Sequence, residues 1–404
     1  MKYDYQLGFD TRYGIHMYGA PDVATNRHTF EYQQKAQYNK EWSSVIGVRT
    51  EVEAAYAANT ARYSVGDVAK NDSQSFFPKD NYLQFKSDTY RLRLGYQQVV
   101  WGEAFGSYYA DIVNPKDFRE VGLGDLSRNR LASPMVNMQW IYSATSLQLL
   151  YIPKATYNLL PSAGSDFNSF KQMAGLPASF TVQRTPNNVQ TRGEAGARYT
   201  QQISGLDLSL FYLNYYDRMP VYSLQAGALP TDVIAVPEYK PLQTGGLTAT
   251  FDLSGFLVRS EVLQHFNREL NTTTDAGGIS SEKTNEFIYV IGLDLPPLDK
   301  WQVGLQYSES RLKKGTWLGR ENSQSVASLR IAKTFANNTS LEVLMTDFTL
   351  DSSTLTQFQA VLPISNRSEF LVGIDKFDGK LTSELGRYRD ASRAWLMFKL
   401  FLQE

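Results

Sequence analysis

The sequence predicts an all-β protein: one transmembrane antiparallel β-barrel of about eighteen strands, with sixteen as the alternative, short turns at one end and long loops at the other. Three observations predict it. Short runs of alternating apolar and polar residues recur along the whole chain, as in Trp301-Gln302-Val303-Gly304-Leu305-Gln306-Tyr307. Period-two alternation marks a strand with one apolar and one polar face. The links between runs alternate between very short and long. Aromatic content is 13%, with 25 Tyr and 22 Phe, as expected where aromatic girdles flank an apolar band.

The strand-like runs are expected at 3–17, 28–39, 42–57, 80–87, 89–101, 134–143, 146–154, 192–203, 206–217, 240–253, 256–270, 284–295, 300–310, 323–335, 339–350, 354–364, 368–376 and 389–402. Tight links fall at Asn39-Lys40-Glu41, Ser87-Asp88, Ala144-Thr145, Ser204-Gly205, Ser254-Gly255, Ala336-Asn337-Asn338 and Ser365-Asn366-Arg367, with Pro296-Pro297-Leu298-Asp299 slightly longer. Their Gly, Asn, Asp and Ser content suits short hairpins. Every connection between these turns is longer except Asp351-Ser352-Ser353, which places the short turns on the periplasmic side and the long loops outside.

Alternation assigns the faces. Tyr90, Leu92, Leu94 and Tyr96 are expected to face lipid, as are Leu247, Ala249, Phe251 and Leu253, then Phe287, Tyr289, Ile291 and Leu293, and finally Trp301, Val303, Leu305 and Tyr307. The opposite faces carry charge and amide. A charge on the lipid face at mid-depth costs about 2–4 kcal/mol, so the charged strand residues belong in the lumen.

Composition narrows the class. The chain of 404 residues is 42% hydrophobic with negative mean hydropathy, and no stretch approaches the roughly 18–20 apolar residues of a spanning helix. One barrel domain over 1–404 accommodates the length. A propeller or solenoid would show a repeat of about 20–50 residues, and none is visible. A β-sandwich would not sort its links by parity. Cys is absent, which excludes disulfides, thiolate nucleophiles and cysteine metal sites. A net charge of −1 gives no case for nucleic acid. The opening Met1-Lys2-Tyr3-Asp4-Tyr5 lacks the apolar core of a secretion signal, so such a signal is expected to have been removed.

The segment Gly95-Tyr96-Gln97-Gln98-Val99-Val100-Trp101-Gly102-Glu103, followed by Ile112-Val113-Asn114-Pro115-Lys116-Asp117, resembles the Gly-x-Gln, Trp-Gly-Glu and Asn-Pro-x-Asp signature of a porin-like family of Gram-negative outer-membrane proteins of unknown function. Here Val113 separates Ile112 from Asn114. The resemblance implies a porin-like barrel of unassigned substrate and brings no catalytic residues. Barrels of this class usually close on an amphipathic last strand ending in an aromatic residue. Trp395-Leu396-Met397-Phe398-Lys399-Leu400-Phe401-Leu402 has that alternation and is followed by Gln403-Glu404.

The pore-lining candidates are Arg49, Glu51, Arg91, Arg93, Arg198, Arg259, Glu261, Arg330 and Glu342, with Glu53 on the same face as Glu51. Both signs occur, so strong selectivity is not expected from the strands alone. The connections 102–133 and 155–191 exceed the roughly 15 residues common for loops and are the constriction candidates. The first carries Glu103, Asp111, Lys116, Asp117, Arg119, Glu120, Arg128 and Arg130, suited to folding over a wet lumen. The second carries Phe167, Phe170, Met173, Leu176 and Phe180, and must cover something apolar. So must 218–238, whose Val221, Leu224, Leu229, Val233, Ile234 and Val236 make a homo-oligomer plausible.

Enzymatic chemistry finds no support. Glu261 and His265, four apart on one strand face, sit about 13 Å apart along the rise, too far for a base and its orienter. His16 and His28 have no nucleophile motif beside them. No Gly-x-Ser-x-Gly, phosphate loop or His-rich metal motif is present, so no cofactor or metal is expected. The expected function is a porin in the outer membrane, giving passive diffusion of small hydrophilic solutes. The alternatives are a channel adapted to one substrate, a structural or lipid-organising oligomer, and last a lipid-acting barrel enzyme.

Overall fold

The computed structural model describes residues 2–17, 23–53, 74–105, 109–121, 126–161, 165–167, 180–182, 192–226, 233–273 and 279–403. Strands β1 (Lys2–His16), β2 (Val23–Gln37) and β3 (Trp42–Glu53) open the chain. The next stave is broken into β4 (Gln74–Pro78) and β5 (Asn81–Lys86), followed by β6 (Tyr90–Gln97), β7 (Ser133–Tyr142) and β8 (Thr145–Ile152). A short β9 (Phe180–Val182) precedes β10 (Glu194–Ile203) and β11 (Leu206–Tyr216), and β12 (Val221–Ala226) and β13 (Val233–Glu238) form the next connection. Then come β14 (Pro241–Leu253), β15 (Phe256–Thr273), β16 (Ile279–Asp294), β17 (Trp301–Leu312) and β18 (Ser323–Thr334). The chain ends with β19 (Ser340–Phe348), β20 (Ser353–Ser365), β21 (Ser368–Asp378) and β22 (Arg393–Gln403).

Nineteen of these strands form one sheet. Because β4 and β5 both pair with β3, along Val48–Val52 and Trp42–Val45, they count as one stave, and the wall has eighteen. The sheet closes where β1 meets β22, from Gln6 opposite Gln403 to His16 opposite Arg393. All wall pairings are antiparallel, between successive staves and across the β1–β22 seam, so the result is a closed eighteen-strand antiparallel barrel.

The break in the fourth stave is bridged by one side chain. Asn81 donates to the Gly47 carbonyl at 2.6 Å and accepts the Gly47 N–H at 2.9 Å, replacing the ladder between β4 and β5. Opposite it, Gly95 has φ +131°, and a Cβ there would lie 2.1 Å from the Asn81 carbonyl oxygen. The tight turns follow the same logic. Ser204 and Gly205 have φ 40° and 84°, and Ser254 and Gly255 have φ 54° and 95°, the two positive values that the hairpin-favoured type I′ turn requires.

The molecule is inside-out relative to a soluble protein. Trp301, Leu305 and Tyr307 are exposed on the outer face of β17, while Gln306 and Ser308 between and beyond them are buried at 7% and 1%. Phe287 and Ile291 on β16, Phe251 and Leu253 on β14, and Leu396 and Leu402 on β22 are likewise exposed. The buried set includes Arg12, Glu51, Glu194, Glu286 and Arg393. Burying charge inside while exposing leucine outside is favourable only if the exterior meets an apolar medium.

Three local expectations are corrected. The run expected at 89–101 leaves the wall after Gln97, because the Gln98 N–H goes to Asp80 at 3.2 Å and the Val99 N–H to Asn114 at 2.7 Å. The last run begins at Arg393, since Gly386–Ala391 forms a 3₁₀ helix whose last turn receives the Ser392 hydroxyl on the Arg389 carbonyl. The apolar connection 218–238 is a hairpin: β12 pairs with β13, and β9 adds to β13 in parallel. Its Val221, Ala235 and Val236 are buried, which accounts for its apolar character. Leu229 lies outside the described residues.

Gly95→Ala is expected to abolish the compact, heat-modifiable band in cold SDS electrophoresis, whereas Gly205→Asn retains it. The first forces a carbonyl clash; at the second the nearest atom to a Cβ is 3.8 Å away and Asn accepts a left-handed backbone.

Candidate functional site

The connection from β6 to β7 folds into the barrel and touches both sides of the wall. It begins with Trp101, fully buried, its ring 5.4 Å from that of Phe211 on β11 and its indole N–H donating to Gln148 on β8 at 2.9 Å. Glu261 on β15 then accepts the backbone N–H groups of Glu103, Ala104 and Ala110 at 2.5, 2.8 and 3.1 Å. Gln306 on β17 accepts the Phe105 N–H at 3.0 Å and donates to its carbonyl at 2.8 Å. Ser308 donates to the Tyr109 hydroxyl at 3.2 Å.

Returning, the chain is clamped by Asn114. Its amide nitrogen donates to the carbonyls of Gln97 and Leu131 at 2.9 Å each, while its oxygen takes the Val99 N–H. The Gly-x-Gln, Trp-Gly-Glu and Asn-Pro-x-Asp segments are therefore the two jaws of one fold-back. Gly102 has a place in it: a Cβ there would sit 3.0 Å from the Asp111 nitrogen and 3.2 Å from a Glu261 carboxylate oxygen.

The far part of the loop is fixed by ions. Glu120 pairs with Arg27 of β2 at 2.6 Å, Arg393 of β22 at 2.8 Å and Arg12 of β1 at 3.8 Å; Arg393 also bonds Asp375 of β21 at 2.9 Å. Arg119 holds Asp117 at 2.6 Å and Glu51 of β3 at 2.8 Å, and Glu51 is also bonded by Arg49. Arg128, in a single helical turn (Leu126–Asn129), reaches Asp10 of β1 at 2.5 Å, while Arg130 bonds Asp111 at 2.5 Å. A second network holds the long-loop end of the wall: Arg218 with Glu194, Arg268 with Asp217 and Glu286, and Arg320 with Glu286.

Cavities lie on both sides of this loop. Toward the long loops, a cavity of about 550 Å³ is lined by aromatic and aliphatic groups such as Phe118, Phe167, Ile288 and Tyr388. Its charges balance: Lys116, Arg218, Arg268 and Arg320 against Asp111, Asp217, Glu286 and Glu384. Toward the short turns lie three cavities of about 350, 360 and 400 Å³. Their basic lining is Arg12, Arg27, Lys35, Arg49, Lys79, Lys86, Arg91, Arg93, Arg128, Arg130, Arg330 and Lys399, and their acidic lining only Asp4, Asp10, Glu31 and Glu342.

These facts sort the residues read from sequence. Arg49, Arg91, Arg93, Arg330 and Glu342 border cavities, and Arg330 pairs with Glu342 at 2.6 Å. Arg259 faces Asp294 at 2.5 Å. Glu51 and Glu261 are corrections: at 2% and 1% exposure they lie under the loop and hold it instead of lining open water. Arg198 likewise donates to the Val100 carbonyl at 3.1 Å and pairs with Glu103 at 3.5 Å. Glu53's side chain and residues Phe170, Met173 and Leu176 lie outside what is described, as does the Phe180 side chain. Phe167 is buried against Phe377 and Tyr388, with ring centroids 6.0 and 5.7 Å away. Sequence reading missed Asp10, Arg12, Asp375 and Arg393, although each lies on the inward parity of its strand.

His265 donates to or accepts from Thr244 at 2.6 Å, and Glu261 is occupied by loop N–H groups, so the two share no chemistry. No metal-ligand cluster occurs among the described residues.

Two loop groups are strongly perturbed. Burial pushes the Glu120 carboxyl up, but Arg27, Arg393 and Arg12 outweigh it and hold it well below the usual carboxylate range. Burial lowers the Lys116 ammonium to about 8, against the opposing pull of Asp111. A depressed carboxylate contributes stability above its unfolded pKa of about 4.3 and loses it as pH falls toward the folded value. A depressed ammonium makes stability rise with pH between about 8 and 10.4, where only the unfolded chain holds the proton.

Protease cleavage within 98–132 is therefore expected to accelerate below about pH 4, and less so in Glu120→Gln. Arg393→Met, which leaves Glu120 and Asp375 buried without that partner, is expected to cost about 3–5 kcal/mol in denaturant unfolding.

The fold has known counterparts. OccK8 (OprE) of Pseudomonas aeruginosa superposes with a TM-score of 0.56 at 9% identity, covering 100% of this chain and 98% of that one. OccAB1 of Acinetobacter baumannii gives 0.56 at 9% identity over 99% and 96% of the two chains. OpdL of Pseudomonas aeruginosa gives 0.54 at 10% identity over 100% and 99%. At such identity the likeness concerns the fold alone, that of porin-like outer-membrane barrels. No curated protein matches the sequence. The family described as protein of unknown function (DUF1302) matches residues 22–319, more than half of the chain, and the chain belongs to that family.

Proposed function

We propose that this protein is a Gram-negative outer-membrane channel through which small hydrophilic solutes diffuse passively, with anions favoured over cations. The observation that carries the reading is the charge on one side of the loop: twelve basic side chains against four acidic ones line the short-turn cavities. The chain as a whole carries only −1, so the imbalance belongs to the lumen. An inside-out wall supports residence in lipid, and an eighteen-strand ring is of the size that leaves an aqueous channel.

The loop 98–132 acts as the constriction, with Lys116, Asp117, Arg119, Glu120, Arg128 and Arg130 across the lumen and Glu103 and Asp111 at its flanks. Solutes pass from a charge-balanced, aromatic-rich vestibule into a basic one. Rings of like charge set the sign of the permeating ion, because low-dielectric walls focus the field into the water.

Purified protein in planar bilayers is expected to give steady conductance steps with a reversal potential on the anion side. A folded barrel that never conducts would sink the reading. Arg91→Glu combined with Arg93→Glu is expected to move the reversal potential toward cations; an unchanged value would place these side chains away from the ion path.

A further inference from the structure

Most cations of this lumen have acids against them. Arg330 meets Glu342 at 2.6 Å, Arg128 meets Asp10 at 2.5 Å and Lys399 meets Glu369 at 3.2 Å. At the short-turn end three form no ion pair among the described residues, and the acid that acts on Arg93 at longer range, Asp80, is taken up by the Gln98 N–H at 3.2 Å. Lys86 ends β5 and Arg91 is the second residue of β6, and the register sets them directly opposite one another, with Gln84 opposite Arg93 in the next inward pair. Like charges directly opposite across a strand pair destabilise a sheet. No carboxylate forms an ion pair with Lys86, Arg91 or Arg93 among the described residues. Asp4, the one acid lining their cavity of about 360 Å³, stands opposite Lys35 across β1 and β2.

The cluster is held in place as well as charged. The Arg93 Nε donates to Gln84 at 2.8 Å, its guanidinium lies 5.0 Å from the ring centre of Tyr82, and Gln84 is in turn fixed to Ser43 at 3.1 Å. The Nε–H of Arg91 is buried and has no acceptor. Gln6 and Gln33 add amide donors on the facing wall of the cavity.

We propose that Lys86, Arg91 and Arg93 form a binding site for a single oxyanion group, a carboxylate or a phosphate. A planar guanidinium and an ammonium converging on one recess match the paired oxygens of such a group. The bound anion supplies the negative charge that the wall omits and relieves the repulsion between Lys86 and Arg91. The site deepens the channel reading by naming where a permeating anion pauses before it leaves at the short-turn end.

The test uses full-length protein in detergent at constant ionic strength. Phosphate or acetate replacing chloride is expected to raise the wild-type unfolding midpoint saturably, as a ligand of the native state does. The double variant Lys86→Gln/Arg91→Gln, which leaves the Arg93–Gln84 bond intact, is expected to start from a higher midpoint in chloride and to bind either anion about tenfold more weakly. A response to phosphate alone assigns the site to phosphate groups, and a response to acetate alone to carboxylates. Wild type indifferent to both overturns the proposal, as does a double variant that is destabilised in chloride and still responds like wild type. Protection by oxyanions in a barrel that never conducts would remove the channel and keep the site; conduction without protection would remove the site and keep the channel.

Discussion

Everything in this structure depends on the closure of the sheet between β1 and β22. A backbone amide facing hydrocarbon without a partner costs several kcal/mol, so a sheet in lipid has no permissible edge. Eleven residues at each end of the chain meet along that seam, from Gln6–His16 on one side to Arg393–Gln403 on the other. Closure then dictates the rest. Each strand must be apolar outside and free to be polar inside, which is the alternation along the chain. A ring of eighteen staves is also too wide for wall side chains to fill, unlike a ring of about eight. The space must hold water or chain, and here the connection from β6 to β7 enters it.

The loop that enters this space is bound mainly by charge. An apolar loop would need an apolar lumen wall, which would dewet the lumen; a polar loop needs specific partners or it stays in water. Glu120, Glu51 and Glu261 supply them, each shared among several donors. Buried ion pairs add little net stability because desolvation offsets the attraction, yet breaking one leaves an uncompensated charge that is far more costly. The lattice therefore defines position: the loop has one arrangement in which no carboxylate is left alone. The apolar contacts of Trp101 with Phe211 and of Val113 with its neighbours add adhesion at one side of the barrel, and Val121 adds it against the cluster of Leu355 and Phe377 at another.

The wall was legible in the sequence and the filling was not. Each of the eighteen runs of alternation corresponds to a stave, because face polarity in a closed sheet is local and repeats every second residue. The ends of two runs were misplaced where local chemistry changes: alternation fails at Val99-Val100-Trp101, where the chain turns inward, and around Gly386–Ala391, where charged residues sit in a 3₁₀ helix. The hairpin of β12 and β13 looked like a loop because its apolar residues do not alternate as those of a wall strand do, yet it packs against β15 and β16, with the Tyr222 N–H on Asn271 at 2.8 Å. What periodicity could not reach is pairing at a distance. Glu261 lies 158 residues from Glu103, whose N–H it accepts, and Arg119 lies 68 from Glu51. Parity put both acids inside but could not tell a free lining group from one covered by a loop.

That distinction explains how a chain of net charge −1 encloses a basic lumen. Asp and Glu have short stems and stay close to the wall or under the loop, where Glu51, Glu120 and Asp375 are 2%, 7% and 1% exposed. Arg and Lys have longer stems, and Arg49, Arg91, Arg93 and Arg330 reach the cavity edges, while Arg12, Arg119 and Arg393 stay buried at 6%, 8% and 1% beside their acids. Arg49 shows both behaviours, bonded to Glu51 and to the Arg128 carbonyl while bordering two cavities. Cations thus border the short-turn cavities in excess, while Glu51, Glu120 and Asp375 lie buried behind them. The sign of the lumen follows from side-chain length and loop position, and a charge tally over the sequence, or over the inward faces of the strands, does not contain it.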